Sequence, residues 1–182
     1  MIVILEGLDR CGKSTQIRKM QPLLIDKPLQ VMHYMAIKGF DDNSDVKEYS
    51  EKMYKQMFHI LLTNYPDNNF ILDRAHIGEV VYSPIYRDYS GDYVYEIEED
   101  FKSHFAKFWN QIYLITFVDK ADNLISRDDG LSFTTKIDKK NVEINSFISA
   151  TDKSLITNKL ILNIDGKDEE VVYEEIKKFI KK

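Results

Sequence analysis

The chain has 182 residues, of which 43% are hydrophobic and 30% charged, with a formal net charge of −5 and a single cysteine. That length can bury one full core, and no apolar run is long enough to cross a bilayer. The negative balance argues against a polyanion-binding surface, so nucleic acid is not the expected partner, and one cysteine leaves no intrachain disulfide, which fits a reducing cytoplasm.

Apolar strand-like runs alternate with helical ones along the chain. Strands are predicted near 2–6, 30–35, 69–73, 112–118 and 160–164. Helices are predicted near 13–24, 45–64, 76–87, 93–108, 121–128, 141–157 and 168–180. The first strand begins without a basic n-region, so no signal peptide is expected. The alternation predicts an α/β, three-layer domain over 1–182, a five-stranded parallel sheet flanked by helices. Ligands in such sheets bind at the carboxyl ends of the strands, which directs attention to the segment after each one.

After the first strand, Gly7-Leu8-Asp9-Arg10-Cys11-Gly12-Lys13-Ser14 fits Gly-x-x-x-x-Gly-Lys-Ser/Thr and leads into a helix through Thr15. A loop cradling polyphosphate must turn tightly and bring N–H groups against oxygens, so Gly7 and Gly12 remove the Cβ atoms in the way. Lys13 adds a point charge for the β- and γ-phosphates, Ser14 can place a hydroxyl on Mg2+, and the following helix directs its positive end at the same anion. ATP with Mg2+ is the expected ligand, and a P-loop NTPase fold follows.

Glu6-Gly7-Leu8-Asp9-Arg10 followed by Cys11-Gly12-Lys13-Ser14-Thr15-Gln16 resembles the phosphate loop of thymidylate kinases, a family of P-loop nucleoside monophosphate kinases. The resemblance implies that Asp9 approaches the sugar 3′-hydroxyl of the acceptor and that Arg10 contacts the transferring phosphoryl group. An acid in an anion-binding loop suits a neutral hydroxyl, and an Arg there can stabilise developing charge.

After the third strand, Asp73-Arg74 places a carboxylate and a guanidinium at the strand tip. Asp73 can hold Mg2+ or its waters, and Arg74 can bridge acceptor and donor phosphates. The family has Asp-Arg-Tyr here, so Asp73 and Arg74 match whereas Ala75 departs, which loosens the expectation of strict thymidine selection. On the next helix His76, Glu79, Tyr82 and Tyr86 recur every three or four residues, a face that can line a pocket or simply pack. Glu79 is a candidate contact for sugar or base, Tyr82 for the acceptor, and Arg87 for a phosphate. The helix before the third strand contains no Arg, although the family uses a Phe and an Arg there to read the base. Tyr49 or Tyr54 can stack on a base, while Tyr49, Met53, Met57 and Ile60 also fall at the spacing of a buried stripe. The family places a basic residue after the second strand to hold the acceptor phosphate, and Lys38 is the candidate.

The second half supplies donor-side parts. The resemblance places Arg127 near adenine and the donor phosphates, and Asp165-Gly166 beside the donor adenine. The segment about 128–140 reads as a lid carrying Lys136, Lys139 and Lys140. Cys11, at a helix N-terminus beside Lys13, is expected to have a lowered thiol pKa and to react with thiol reagents unless ATP protects it.

These residues together predict an ATP- and Mg2+-dependent (deoxy)nucleoside monophosphate kinase, thymidylate kinase-like, with a small-molecule acceptor. The resemblance further implies a homodimer, and the altered acceptor region suits a viral or phage nucleotide-supply enzyme. A nucleoside or polynucleotide 5′-kinase would instead need Glu6, Asp9 or Glu79 as a base. A nucleotide switch would need no small acceptor.

Overall fold

The computed structural model describes residues 1–34, 42–130 and 132–181. Strands β1 (Ile2–Gly7), β2 (Leu29–His33), β3 (Asn69–Asp73), β4 (Ile112–Val118) and β5 (Asn158–Asn163) form one sheet in the order β2-β3-β1-β4-β5, with every pairing parallel. β1 is buried along its whole length and β3 and β4 nearly so, as near-continuous apolar runs between two helical layers should be. The edge strands β2 and β5 are partly exposed.

Helices α1 (Lys13–Met20), α2 (Asn43–Asn64), α3 (Ile77–Tyr86), α4 (Tyr93–His104), α5 (Ala106–Trp109), α6 (Ala121–Ser126), α7 (Ile137–Lys153) and α8 (Glu169–Ile180) cover the sheet. Asp42 caps α2 and Asp168 caps α8, each carboxylate accepting from N–H groups of the first turn. From β1 the chain builds β2 and β3 on one side of the sheet and β4 and β5 on the other. The direction therefore reverses at β1, and the β1–α1 loop stands at the crevice where ligands of open α/β sheets bind.

Several boundaries differ from expectation for identifiable reasons. α1 stops at Met20 because Pro22 has no N–H to donate back into the helix, and the chain continues as a 3₁₀ turn over Gln21–Leu23. The helix predicted over 93–108 is two helices, separated at Phe105. α7 begins at Ile137, inside the predicted lid, so Lys139 and Lys140 are helical. Lys140 is buried in a 2.9 Å ion pair with Glu143, and only Lys136 remains in the segment between α6 and α7. On α2 the buried face is Val46, Ser50, Tyr54, Met57, Phe58, Leu61 and Leu62, rotated from the predicted stripe, with Tyr49 and Ile60 exposed. The rotation follows the aromatic cluster: Phe58 stacks on Phe101 at 5.6 Å and on Trp109 at 5.7 Å, which draws its own side of the helix inward. Among the described residues no helix is long and apolar enough to cross a membrane.

Candidate active site

The β1–α1 loop is shaped by close backbone approach. Gly7 has φ 122°, and a Cβ on it would stand 2.3 Å from the carbonyl oxygen of Phe117 on β4, so no other residue fits there. Gly12 (φ 77°) takes the left-handed conformation at the N-cap of α1. Lys13 is buried, and its Nζ donates to the carbonyls of Gly7 at 2.9 Å and Leu8 at 2.5 Å, folding the ammonium over the loop. The Leu8 side chain lies in the core, so only its backbone faces the loop. Arg10 has φ 66° and pairs with Asp129 of the segment between α6 and α7.

At the tip of β3 the next residue, Arg74, is again left-handed, with φ 69°. Such a conformation costs a non-glycine residue roughly 1–2 kcal/mol and recurs at sites where one side chain must be aimed. Here it carries the Arg74 guanidinium onto Asp9 of the loop, while Arg74 Nε is buried without a hydrogen-bond partner. Asp73 Oδ2 lies 3.5 Å from Ser14 Oγ and 3.1 Å from His33 Nδ1, and its Oδ1 is buried without a partner. A hydroxyl beside a carboxylate with an orphaned oxygen fits Mg2+, which takes few protein ligands and completes its shell with waters and phosphates. No cluster of three His, Cys, Asp or Glu side chains suited to a metal exists among the described residues.

Two clefts flank the loop. The first opens beside Arg74 and is walled largely by aromatic side chains. Arg74 marks its loop end, Tyr34, Met53, Tyr54, Tyr82, Phe133 and Phe147 give it flat apolar walls, and Glu79 and Arg87 add charge. Phe133 stacks on Tyr86 at 4.6 Å and faces Tyr82 at 5.3 Å. Glu79 is buried, its Oε1 accepting from the hydroxyls of Tyr89 (2.6 Å) and Tyr93 (3.0 Å) and its Oε2 from Arg87 at 2.9 Å. Burial together with this carboxylate pushes the hydroxyls of Tyr89 and Tyr93 up from their usual pKa.

The second cleft runs between the loop and α8, lined by Cys11, Gly12, Thr15, Gln16, Asn123, Arg127, Ile164 and Gly166 among others. Arg127 spans it, donating from Nε to the Asn123 carbonyl (2.9 Å) and from Nη1 to the Arg10 carbonyl (3.2 Å), while Nη2 pairs with buried Asp119. Asp165 pairs with Lys120 at 2.7 Å and accepts from Asn123, and these contacts hold its pKa below the ordinary value.

No family model matches the chain, and no curated protein does. Among solved structures, the thymidylate kinase from Candida albicans superposes with a TM-score of 0.63 at 14% identity, over 99% of this chain and 90% of that one. The fold is thymidylate kinase-like. At that identity the likeness carries the fold and leaves the chemistry to the residues themselves.

On this thymidylate kinase-like fold, Gly7, Asp9, Arg10, Gly12, Lys13, Ser14, Asp73 and Arg74 gather at the C-terminal edge of β1 and β3. Glu79, Tyr82 and Arg87 line the first cleft, and Thr15 and Arg127 the second; Asp165 stands between two of the latter's lining residues, Ile164 and Gly166. Lys38 lies outside the described residues. Tyr49 is 50% exposed and does not line the first cleft; Tyr54, on the inward face of α2, does. Tyr34, Phe133 and Phe147 also line it and carry no signal in the sequence, each being an isolated aromatic in an otherwise unpatterned or ordinary core segment.

Cys11 departs from expectation. Its side chain is buried, and desolvation pushes the thiol pKa up, outweighing the opposing effect of Lys13. The folded protein should therefore be alkylated at Cys11 by iodoacetamide at pH 7 at least about tenfold more slowly than the denatured chain. Mass spectrometry of timed samples checks this, and labelling as fast as in denaturant would show the thiol to be exposed and activated after all.

Proposed function

We propose that the chain is an ATP-dependent (deoxy)nucleoside monophosphate kinase of the thymidylate kinase type, with dTMP the first acceptor to consider. The observation that carries this reading is the place of Arg74: its guanidinium contacts the phosphate loop through Asp9 while lining the aromatic cleft beside it. A group there can touch a γ-phosphoryl on one side and an acceptor phosphate on the other.

In this reading the loop amides, Lys13 and Thr15 hold the phosphates of ATP, and the second cleft takes its adenosine between Arg127 and the Asp165-Gly166 turn. Ser14 and Asp73 would hold Mg2+, which would supply neutralisation of phosphate charge. An oxygen of the acceptor monophosphate forms a bond to the γ-phosphorus as the bond to the β-phosphate oxygen breaks, and ADP leaves. Arg10 and Arg74 lie where charge spreads during that transfer. Lys38 keeps its role as an acceptor-phosphate contact. A homodimer and a cytoplasmic location for one domain over 1–182 complete the reading.

The state of the carboxylates favours a monophosphate over a nucleoside acceptor. A nucleoside hydroxyl calls for a poised base, yet Glu6 Oε1 accepts from the N–H groups of Ala75 (2.8 Å) and Ile77 (3.1 Å). Glu79 is engaged by three donors and Asp9 by Arg74. A monophosphate oxygen is already anionic and needs no base.

The charge of Arg87 is balanced by buried Glu79, so it orients a neutral part of the acceptor rather than its phosphate, in place of the phosphate contact expected from sequence. Arg87→Lys keeps the charge opposite Glu79 but loses the planar fork, and acceptor KM should rise by about tenfold with ATP KM unchanged. An unchanged acceptor KM would remove Arg87 from the acceptor site.

The reading is tested by ADP release from ATP and Mg2+ against the four nucleoside and four deoxynucleoside 5′-monophosphates, dTMP among them, and against free nucleosides. Turnover with monophosphates is expected. Turnover with nucleosides alone, or hydrolysis indifferent to any acceptor, would overturn it.

A further inference from the structure

We infer that Glu6 is a positioning residue for Arg74: from β1 its carboxylate fixes the left-handed turn that aims the guanidinium at the phosphate loop. The inference rests on the kinase reading above and adds to it the device that sets its central arginine.

Glu6 is buried, and backbone N–H groups just beyond the turn donate to its Oε1, those of Ala75 at 2.8 Å and Ile77 at 3.1 Å. Its Oε2 lies next to Gly78, where an added Cβ would stand 3.7 Å away. The N-cap residue of α3, His76, makes no side-chain capping bond, so the carboxylate of the neighbouring strand satisfies the orphan donors at the start of that helix. On the other side of the turn, Arg74 N–H donates to the carbonyl of Leu5 at 2.9 Å. Residues 5 and 6 thus hold the chain at the strained position itself and just after it, where Arg74 (φ 69°) carries its guanidinium onto Asp9. Without the Glu6 carboxylate, the residues after Arg74 lose the contacts that force the helix to start at once, and nothing then compels a long side chain to stay left-handed.

Glu6 also lines the first cleft, but the occupation of Oε1 by backbone donors separates this role from that of a base. A positioning role predicts that Glu6 acts only through Arg74. Glu6→Asp, which shortens the reach, should lower kcat by at least about 30-fold with the ATP dissociation constant unchanged. Glu6→Gln keeps the size and one acceptor oxygen, and its loss should be smaller. In an Arg74→Lys background, the further loss from Glu6→Asp should shrink to less than about twofold. Losses that multiply independently in the two backgrounds, or full turnover by Glu6→Asp, overturn the inference while leaving the kinase reading intact. If Glu6→Asp fails to fold, the same comparison is made with Glu6→Gln. A wild-type protein inactive on every monophosphate overturns the kinase reading itself, and the inference with it.

Discussion

Arg74→Ala is expected to lower phosphoryl transfer by roughly 10^3-fold at saturating acceptor while ATP affinity changes by less than about twofold. The guanidinium stands between the phosphate loop and the aromatic cleft, with Nε buried and unpartnered and one terminal nitrogen on Asp9. In the proposed reading ATP is held by parts that do not involve it: the loop amides, Lys13 folded over Gly7 and Leu8, and the second cleft. The loss should therefore fall on the step that joins the two ligands. Alanine is no worse suited than arginine to a left-handed backbone, so the fold itself is not placed at risk. Initial rates of ADP formation, together with a direct ATP titration, separate the outcomes. Normal turnover would remove Arg74 from the reaction, and a parallel loss of ATP affinity would move it to the donor side.

The sheet was legible because its signals are local. A buried parallel strand must be apolar on both faces, and Ile2-Val3-Ile4-Leu5, Phe70-Ile71-Leu72 and Ile112 to Val118 announce themselves as such. The phosphate loop was legible for the same reason, since its geometry is imposed by residues adjacent in the chain. What could not be read there was the strand order, which depends on crossovers, and the face of α2 turned inward. That face is decided by Phe101 and Trp109, more than forty positions beyond Phe58, and both candidate stripes of the helix satisfy helical spacing equally well.

The first cleft shows why pocket residues hide in sequence. Arg87 looks like one more basic residue after a helix, and its meaning changes once the chain reverses at Asp88 (φ 56°) and returns Tyr89 and Tyr93 to Glu79. The same carboxylate that looked available as a base is consumed by that return. Cys11 is the converse case: its neighbours in sequence suggest activation, and burial, which the sequence does not display, outweighs them.

Glu98→Ala is expected to cost about 3–5 kcal/mol of stability, the range for breaking a buried charged contact by removing one side of it. Glu98 is fully buried on α4. Its Oε1 accepts from Ser154 Oγ at 2.7 Å and lies 2.6 Å from His76 Nε2, and its Oε2 accepts from the Leu155 N–H at 2.5 Å. One side chain thus joins three parts of the fold: the start of α3, the middle of α4 and the turn between α7 and β5. Alanine would leave those donors buried without partners beside a cavity, and His76 Nδ1 already lacks a partner. For a chain of this size the midpoint of thermal unfolding should fall by roughly 10 °C, read by circular dichroism. An unchanged midpoint would mean that water enters and replaces the carboxylate. Because Glu98 touches neither cleft, the variant assayed well below its new midpoint should retain most of its turnover. A large loss there would show that the start of α3, and so Arg74 two residues before its N-cap, depends on this cluster as well as on Glu6.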